Sequence, residues 1–183
     1  MIGHGASYTL RGMERFAYSV RELVDKLVPE ADEGEKLRLI RQIRHWTNAD
    51  LLTPQGKKHT GTGVSRQYGP DEVRKAAILR ELGRFGMTVT QLEGMGEYLD
   101  GLADDPSWRD AITGKRPVYL ELFSTPDDEE QTWRVARDEP DLKQLHPDAK
   151  PPRVRIGTTQ TTGASYTSAL VLSLNRIFAR LSV

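Results

Sequence analysis

The chain contains no cysteine, so disulfides and thiolate metal or redox sites are excluded from the start. Histidine is scarce as well: His4, His45, His59 and His146 are the full set, and none stands at the close spacing of a helical metal site, so no metal is expected. No apolar run approaches the ~18 residues of a membrane span. The opening Met1-Ile2-Gly3-His4-Gly5 lacks the basic stretch and apolar core of a secretory signal, which makes the cytoplasm the expected compartment. Net charge is absent too, at a formal value of zero.

That zero conceals blocks of opposite sign. Residues 1–35 carry four Lys/Arg against seven Asp/Glu, and residues 36–84 carry eleven against four. Residues 85–150 reverse to seven against fifteen, and 151–183 hold four basic residues and no acid. A local positive excess is the electrostatic footprint of a polyanion-binding surface. With 37% hydrophobic and 28% charged residues, the 183-residue chain has a globular composition, enough for a small domain and a second compact unit.

Ser19-Val20-Arg21-Glu22 has capping-box spacing, with Tyr18 and Leu23 at the two staple positions, which predicts a helix from Val20 to near Val28, before Pro29. A second helix covers Leu37 to Asn48. Projected at 100° per residue, Leu39, Ile40, Ile43, Trp46 and Thr47 fall in one arc. Arg38, Arg41, Gln42, Arg44, His45 and Asn48 fall in the other. Leu51-Leu52-Thr53-Pro54 ends that helix, and the basic, glycine-punctuated span Gln55 to Ser65 suits an exposed hairpin-like loop. Gly69-Pro70-Asp71-Glu72 opens a third helix with the apolar stripe Ile78, Leu82 and Phe85, stopped by Gly86. Thr88-Val89-Thr90-Gln91 repeats the capping-box spacing and predicts a fourth helix to about Leu102.

Past Asp104 strands are expected at Pro117 to Phe123 and Gln131 to Val135, joined across an acidic turn at residues 125–130. Residues 138–152 read as a loop. Arg153 to Ile156 is expected to pair with Ser165 to Leu172. The final segment fits a strand or a helical stripe, and a strand passing into a short C-terminal helix is the favoured reading.

This succession resembles a known family. Ile43-Arg44-His45-Trp46-Thr47-Asn48-Ala49-Asp50-Leu51-Leu52-Thr53-Pro54 is similar to the Leu-Arg-Tyr-Tyr-Glu, two spacers, Gly-Leu-Leu, one spacer, Pro signature of MerR-type transcriptional regulators. Arg66-Gln67-Tyr68 is similar to the Arg-x-Tyr that closes the wing in that family, and Asp71-Glu72-Val73 and Gly86 to Leu92 match the helix openings that follow. The resemblance spans roughly residues 18–102. Asp50 stands where the family has glycine, His45 and Trp46 replace its tyrosine pair, and Leu27 to Leu39 is longer than its usual turn. The family's long antiparallel dimer helix is missing, since Pro106 follows soon after Leu102 without sustained heptads.

With the strands read past Asp104, the resemblance gives an α+β chain: an extension over 1–17, a mostly helical winged helix-turn-helix over 18–104 as the resemblance implies, and a small mixed β/α unit over 105–183 for dimerisation or ligand sensing. Arg38, Arg41, Gln42, Arg44, His45 and Asn48 are the expected recognition-helix contacts. Arginine can bond guanine and glutamine adenine bidentately in the major groove. Lys57, Lys58, His59 and Arg66 are the expected wing contacts to phosphate. The implied partners are double-stranded DNA, a second copy of the chain and RNA polymerase, with no membrane and no cofactor.

Plainer readings stand beside these. An arginine-bearing arc is commonly a solvated helix face, and Trp46 and Tyr68 suit packing better than base stacking. Lys57 and Lys58 precede Gly61-Thr62-Gly63, the reverse of a phosphate-binding loop. The acids 127–130 suit a solvated turn. No nucleophile or acid/base arrangement is legible, so an enzyme is not expected. The alternatives to a sequence-specific regulator are an architectural or excisionase-like DNA-bending factor, and an adaptor whose basic helix docks an acidic protein.

Overall fold

The computed structural model describes residues 17–56, 65–92, 94–124, 131–137, 154–161, 164–181 and 183, with backbone alone at 123–124, 131–137, 154–161 and 164–169. The architecture is α+β. A two-residue strand β1 (Tyr18–Ser19) leads directly into helix α1 (Val20–Leu27). Both halves of the capping box form: the Glu22 amide donates to Ser19 Oγ at 3.3 Å, and the Ser19 amide donates to the Glu22 carboxylate at 2.9 Å.

Helix α2 (Glu33–Asn48) begins one turn before the projected Leu37. Asp32 accepts the Glu35 amide at 2.8 Å, and Glu33 and Glu35 favour the positive end of the helix dipole. Its far end is a Schellman motif, in which the Leu51 amide reaches the Trp46 carbonyl at 2.9 Å and the Asp50 amide reaches Thr47 at 3.3 Å. That geometry requires a left-handed residue between them, and Asp50 supplies it at φ 58°. Leu51 and Leu52 follow into the core.

Gln55 then bridges antiparallel to Gln67 of strand β2 (Gln67–Tyr68), which also pairs antiparallel with β1. The base of the expected hairpin-like loop is thus formed; its tip, residues 57–64, lies outside the described residues. Helix α3 (Pro70–Arg84) starts on proline with Asp71 and Glu72 in its first turn.

The expected fourth helix is corrected in its first half. Thr88 and Gln91 do bond reciprocally, at 2.9 Å and 3.3 Å, yet they hold only a 3-10 turn, Thr90–Leu92. Gly94, at φ 80°, breaks the path, and helix α4 (Met95–Ala103) starts after it. A helix not foreseen follows, α5 (Pro106–Thr113), capped by Asp105, opened by Pro106 and closed by left-handed Gly114.

Strands β3 (Val118–Ser124), β4 (Gln131–Arg137), β5 (Val154–Thr161) and β6 (Ala164–Ser173) form one antiparallel sheet in the order β4-β3-β6-β5. Both expected hairpin pairings are present, and β3 and β6 join them in register from Tyr119–Ser173 to Ser124–Ser168. The acidic turn 125–130 and the loop 138–152 lie outside the described residues. Strand β6 passes into the short helix α6 (Leu174–Phe178).

Helix α6 ties the sheet to the helices. The Phe178 ring meets Trp108 edge-on at 4.8 Å, and the Trp108 indole donates to Asp71 at 2.8 Å. The Asn175 amide accepts the Val118 N–H at 2.7 Å and donates to the Arg116 carbonyl at 2.8 Å. One buried cluster runs from Tyr18 through the inner arc of α2 and through α3 to Leu120, Leu172 and Phe178. Among the described residues no helix is long and apolar enough to cross a membrane.

Two glycines in α4 distinguish packing from propensity. A Cβ on Gly96 would meet the Asp50 carbonyl oxygen at 2.5 Å and Leu51 Cα at 2.8 Å, whereas one on Gly101 would meet nothing within 4 Å. Gly96→Ala is expected to destabilise by about 1–3 kcal/mol through overpacking. Gly101→Ala should stabilise by ~0.5–1 kcal/mol through helix propensity. Urea denaturation of both variants checks the opposite signs.

Candidate nucleic-acid interface

The arc division of α2 is realised in the fold. Leu39, Ile43, Trp46 and Thr47 are buried and Ile40 half-buried, while Arg38, Arg41, Gln42, Arg44, His45 and Asn48 are exposed. Trp46 is therefore a core anchor. Burying these inner side chains fixes the rotation of the helix about its axis, which fixes where the arginines point.

The polar contacts of the outer face are few. Arg41, Gln42, Arg44 and His45 make no hydrogen bond or ion pair among the described residues. Their donors stand toward solvent. Arg38 Nε donates weakly to the Gly34 carbonyl at 3.4 Å. Gln42 sits apart from the others at the seam between α2 and α3, where its amide nitrogen lies 3.4 Å from the place a Cβ on Gly83 would occupy. Leu37, half exposed, adds an apolar element near Arg41 and Arg44.

Arg66 is drawn to the same face, although eighteen residues separate it from Asn48. Its guanidinium donates to Asn48 Oδ1 at 3.2 Å, which places the closing arm of the loop beside the C-terminal turn of α2. Nothing in the local pattern announces that contact. Lys57, Lys58 and His59 lie outside the described residues.

Three fasteners set the attitude of α2. Thr47 Oγ1 donates to the Ile43 carbonyl at 2.9 Å and lies 2.8 Å from the Tyr68 hydroxyl, tying the helix to β2 in a buried site. Lys36 pairs with Asp25 of α1 at 2.8 Å, and this hydrogen bond raises the lysine pKa. Arg21 pairs with Glu33 at 3.5 Å. The longer connection between α1 and α2 is thus braced from both sides.

A further fastener holds the chain leaving α2. The Thr53 amide donates to the Glu72 carboxylate at 2.7 Å, and the buried Lys75 ammonium bridges Glu72 and Asp100. Burial pushes the Glu72 carboxyl up from its ordinary value, against the pull of Lys75 and of the Thr53 amide. Among the described residues no group of acids and histidines could hold a metal ion.

No protein-family model matches the chain, and no curated protein matches it at a significant level.

Thr47→Val keeps the side-chain shape but leaves the buried Tyr68 hydroxyl without its partner, and should cost ~1–3 kcal/mol. Adding Tyr68→Phe is expected to recover part of that loss, so a double-mutant cycle in urea should show clear coupling. Glu72 supplies a pH signature. The folded carboxyl holds its proton to higher pH than the unfolded one, so the folded state binds more protons between the two pKa values. Its contribution to stability therefore falls as pH rises through that window. Glu72→Gln should flatten this slope in denaturation curves collected from pH 4 upward, roughly through the carboxylate range.

Proposed function

We propose that the chain is a sequence-specific double-stranded DNA-binding protein of winged helix-turn-helix type, a transcriptional regulator of MerR-like kind. In this reading α2 is the recognition helix and the loop between Gln55 and Gln67 is the wing. The observation that carries it is the outer face of α2. Arg41, Arg44 and His45 are exposed and make no hydrogen bond or ion pair among the described residues, on a helix whose rotation the buried Leu39, Ile43 and Trp46 determine.

Exposed cationic side chains on a helix of fixed rotation are suited to a polyanion, and two arginines one turn apart can reach neighbouring base edges in a major groove. Arg66 beside Asn48 adds a cation from the arm of the wing, where phosphate contacts fix orientation. Asp50 gives separate support. It occupies the left-handed conformation that favours glycine, at the position where the MerR-type signature carries glycine. The chain therefore keeps the backbone geometry while changing the residue, and aspartate is among the few that tolerate it.

The test is fluorescence anisotropy on the duplex upstream of the gene and on a shuffled duplex, over a range of salt. The native duplex should bind more tightly by ~10³-fold or more. Arg41→Ala/Arg44→Ala should abolish that margin while leaving thermal unfolding unchanged, because both side chains are exposed. Equal affinity for both duplexes with a steep salt slope would favour an architectural factor. Failure to bind either duplex would favour the adaptor reading.

A further inference from the structure

A second cationic site lies away from the outer face of α2, in a recess between the end of α3 and α6. Its volume is about 370 Å³, within the range of small-molecule sites of roughly 300–1,000 Å³. Among the described residues Arg84, Arg176 and Arg180 line it together with one carboxylate, Glu81, and with apolar surface from Phe85 and Ile177.

The charges there do not balance. Glu81 Oε1 receives Arg84 at 3.3 Å, Arg180 at 3.8 Å and Arg80 at 3.9 Å. Arg80 has a second acid in Glu35 of α2, at 3.5 Å, but Arg176 makes no ion pair or hydrogen bond among the described residues. Among the described residues that line the recess, three guanidiniums thus face one carboxylate, an excess of two positive charges. Like charges gathered this closely repel unless an anion joins them, and guanidinium forks match carboxylate and phosphate oxygens bidentately.

The walls select further. Of the apolar lining, Phe85 is 40% accessible and Ile177 is buried. A bare inorganic ion would leave that apolar surface unused. We infer that the recess is a binding site for a small dianionic ligand with an apolar body, of the phosphomonoester class. The phosphoryl group sits among Arg84, Arg176 and Arg180, and the body lies against Phe85. This site is independent of the DNA reading, since it uses none of the outer-face residues of α2.

Calorimetric titration of the full chain at pH 8, where a phosphomonoester with a second pKa of about 6 is dianionic and inorganic phosphate is mainly so, tests it with phenyl phosphate, inorganic phosphate and phenol. The expected result is saturable one-to-one binding of phenyl phosphate, binding of inorganic phosphate weaker by about tenfold, and none of phenol. Arg176→Ala should weaken phenyl phosphate by about tenfold without lowering the melting temperature of the free protein, because the side chain is exposed and makes no hydrogen bond or ion pair among the described residues. Phe85→Ala should erase the preference for phenyl phosphate over inorganic phosphate. Absence of saturable binding, equal affinity for the two phosphates, or an Arg176→Ala variant that binds as well as the parent would overturn the assignment. So would an Arg176→Ala defect confined to duplex DNA, which would make the recess part of a nucleic-acid surface.

Discussion

Burial of the inner arc of α2 is the constraint from which the arrangement around it follows. Ile43 and Trp46 are almost wholly removed from water, so rotating the helix would expose apolar area worth several kcal/mol at about 25 cal/mol per Å². The outer residues inherit their directions from that packing. Thr47 completes the inner face with a hydroxyl that could not be buried alone, and its bond to Tyr68 makes the sheet edge part of the same unit. The Schellman turn then lowers Leu51 and Leu52 into the core, and α4 closes over that turn at Gly96, where only a hydrogen atom fits.

Elements governed by neighbouring residues were legible from the sequence. The two arcs of α2, the Ser19–Glu22 box and the start of α3 on Pro70 depend on side chains within a turn of each other. The Thr88–Gln91 box was equally legible but misleading, because a cap nucleates a turn and cannot carry it through a glycine at φ 80°. Helix α5 is not legible in the same way although Asp105-Pro106 signals a start; its eight residues have too short an apolar pattern to compete with the strands after it.

What depends on distant pairing was not legible. The β3–β6 register brings together residues about fifty apart, and no local propensity encodes the choice. The same holds for the candidate sites. The arginines of α2 form one face by periodicity and could be read directly, whereas Arg66 joins them through the bridge of Gln55 to Gln67. The recess at Glu81 is further from reach still, since it joins residues 81–85 to residues 172–180 only when α6 docks on α3.

Asn175 shows what such docking means for a chain made from its N-terminus. Its amide serves the first N–H of β3 and the carbonyls of Ala111 and Arg116, all around sixty residues upstream. Those groups are synthesised long before the side chain that satisfies them. Until Asn175 emerges and closes that long loop, an entropic step, the junction of α5 and β3 must remain hydrated. Helix α6 therefore completes contacts that earlier residues leave open, and its deletion would leave the sheet unanchored at the end nearest the helices, with both strands of the β3–β4 hairpin still present.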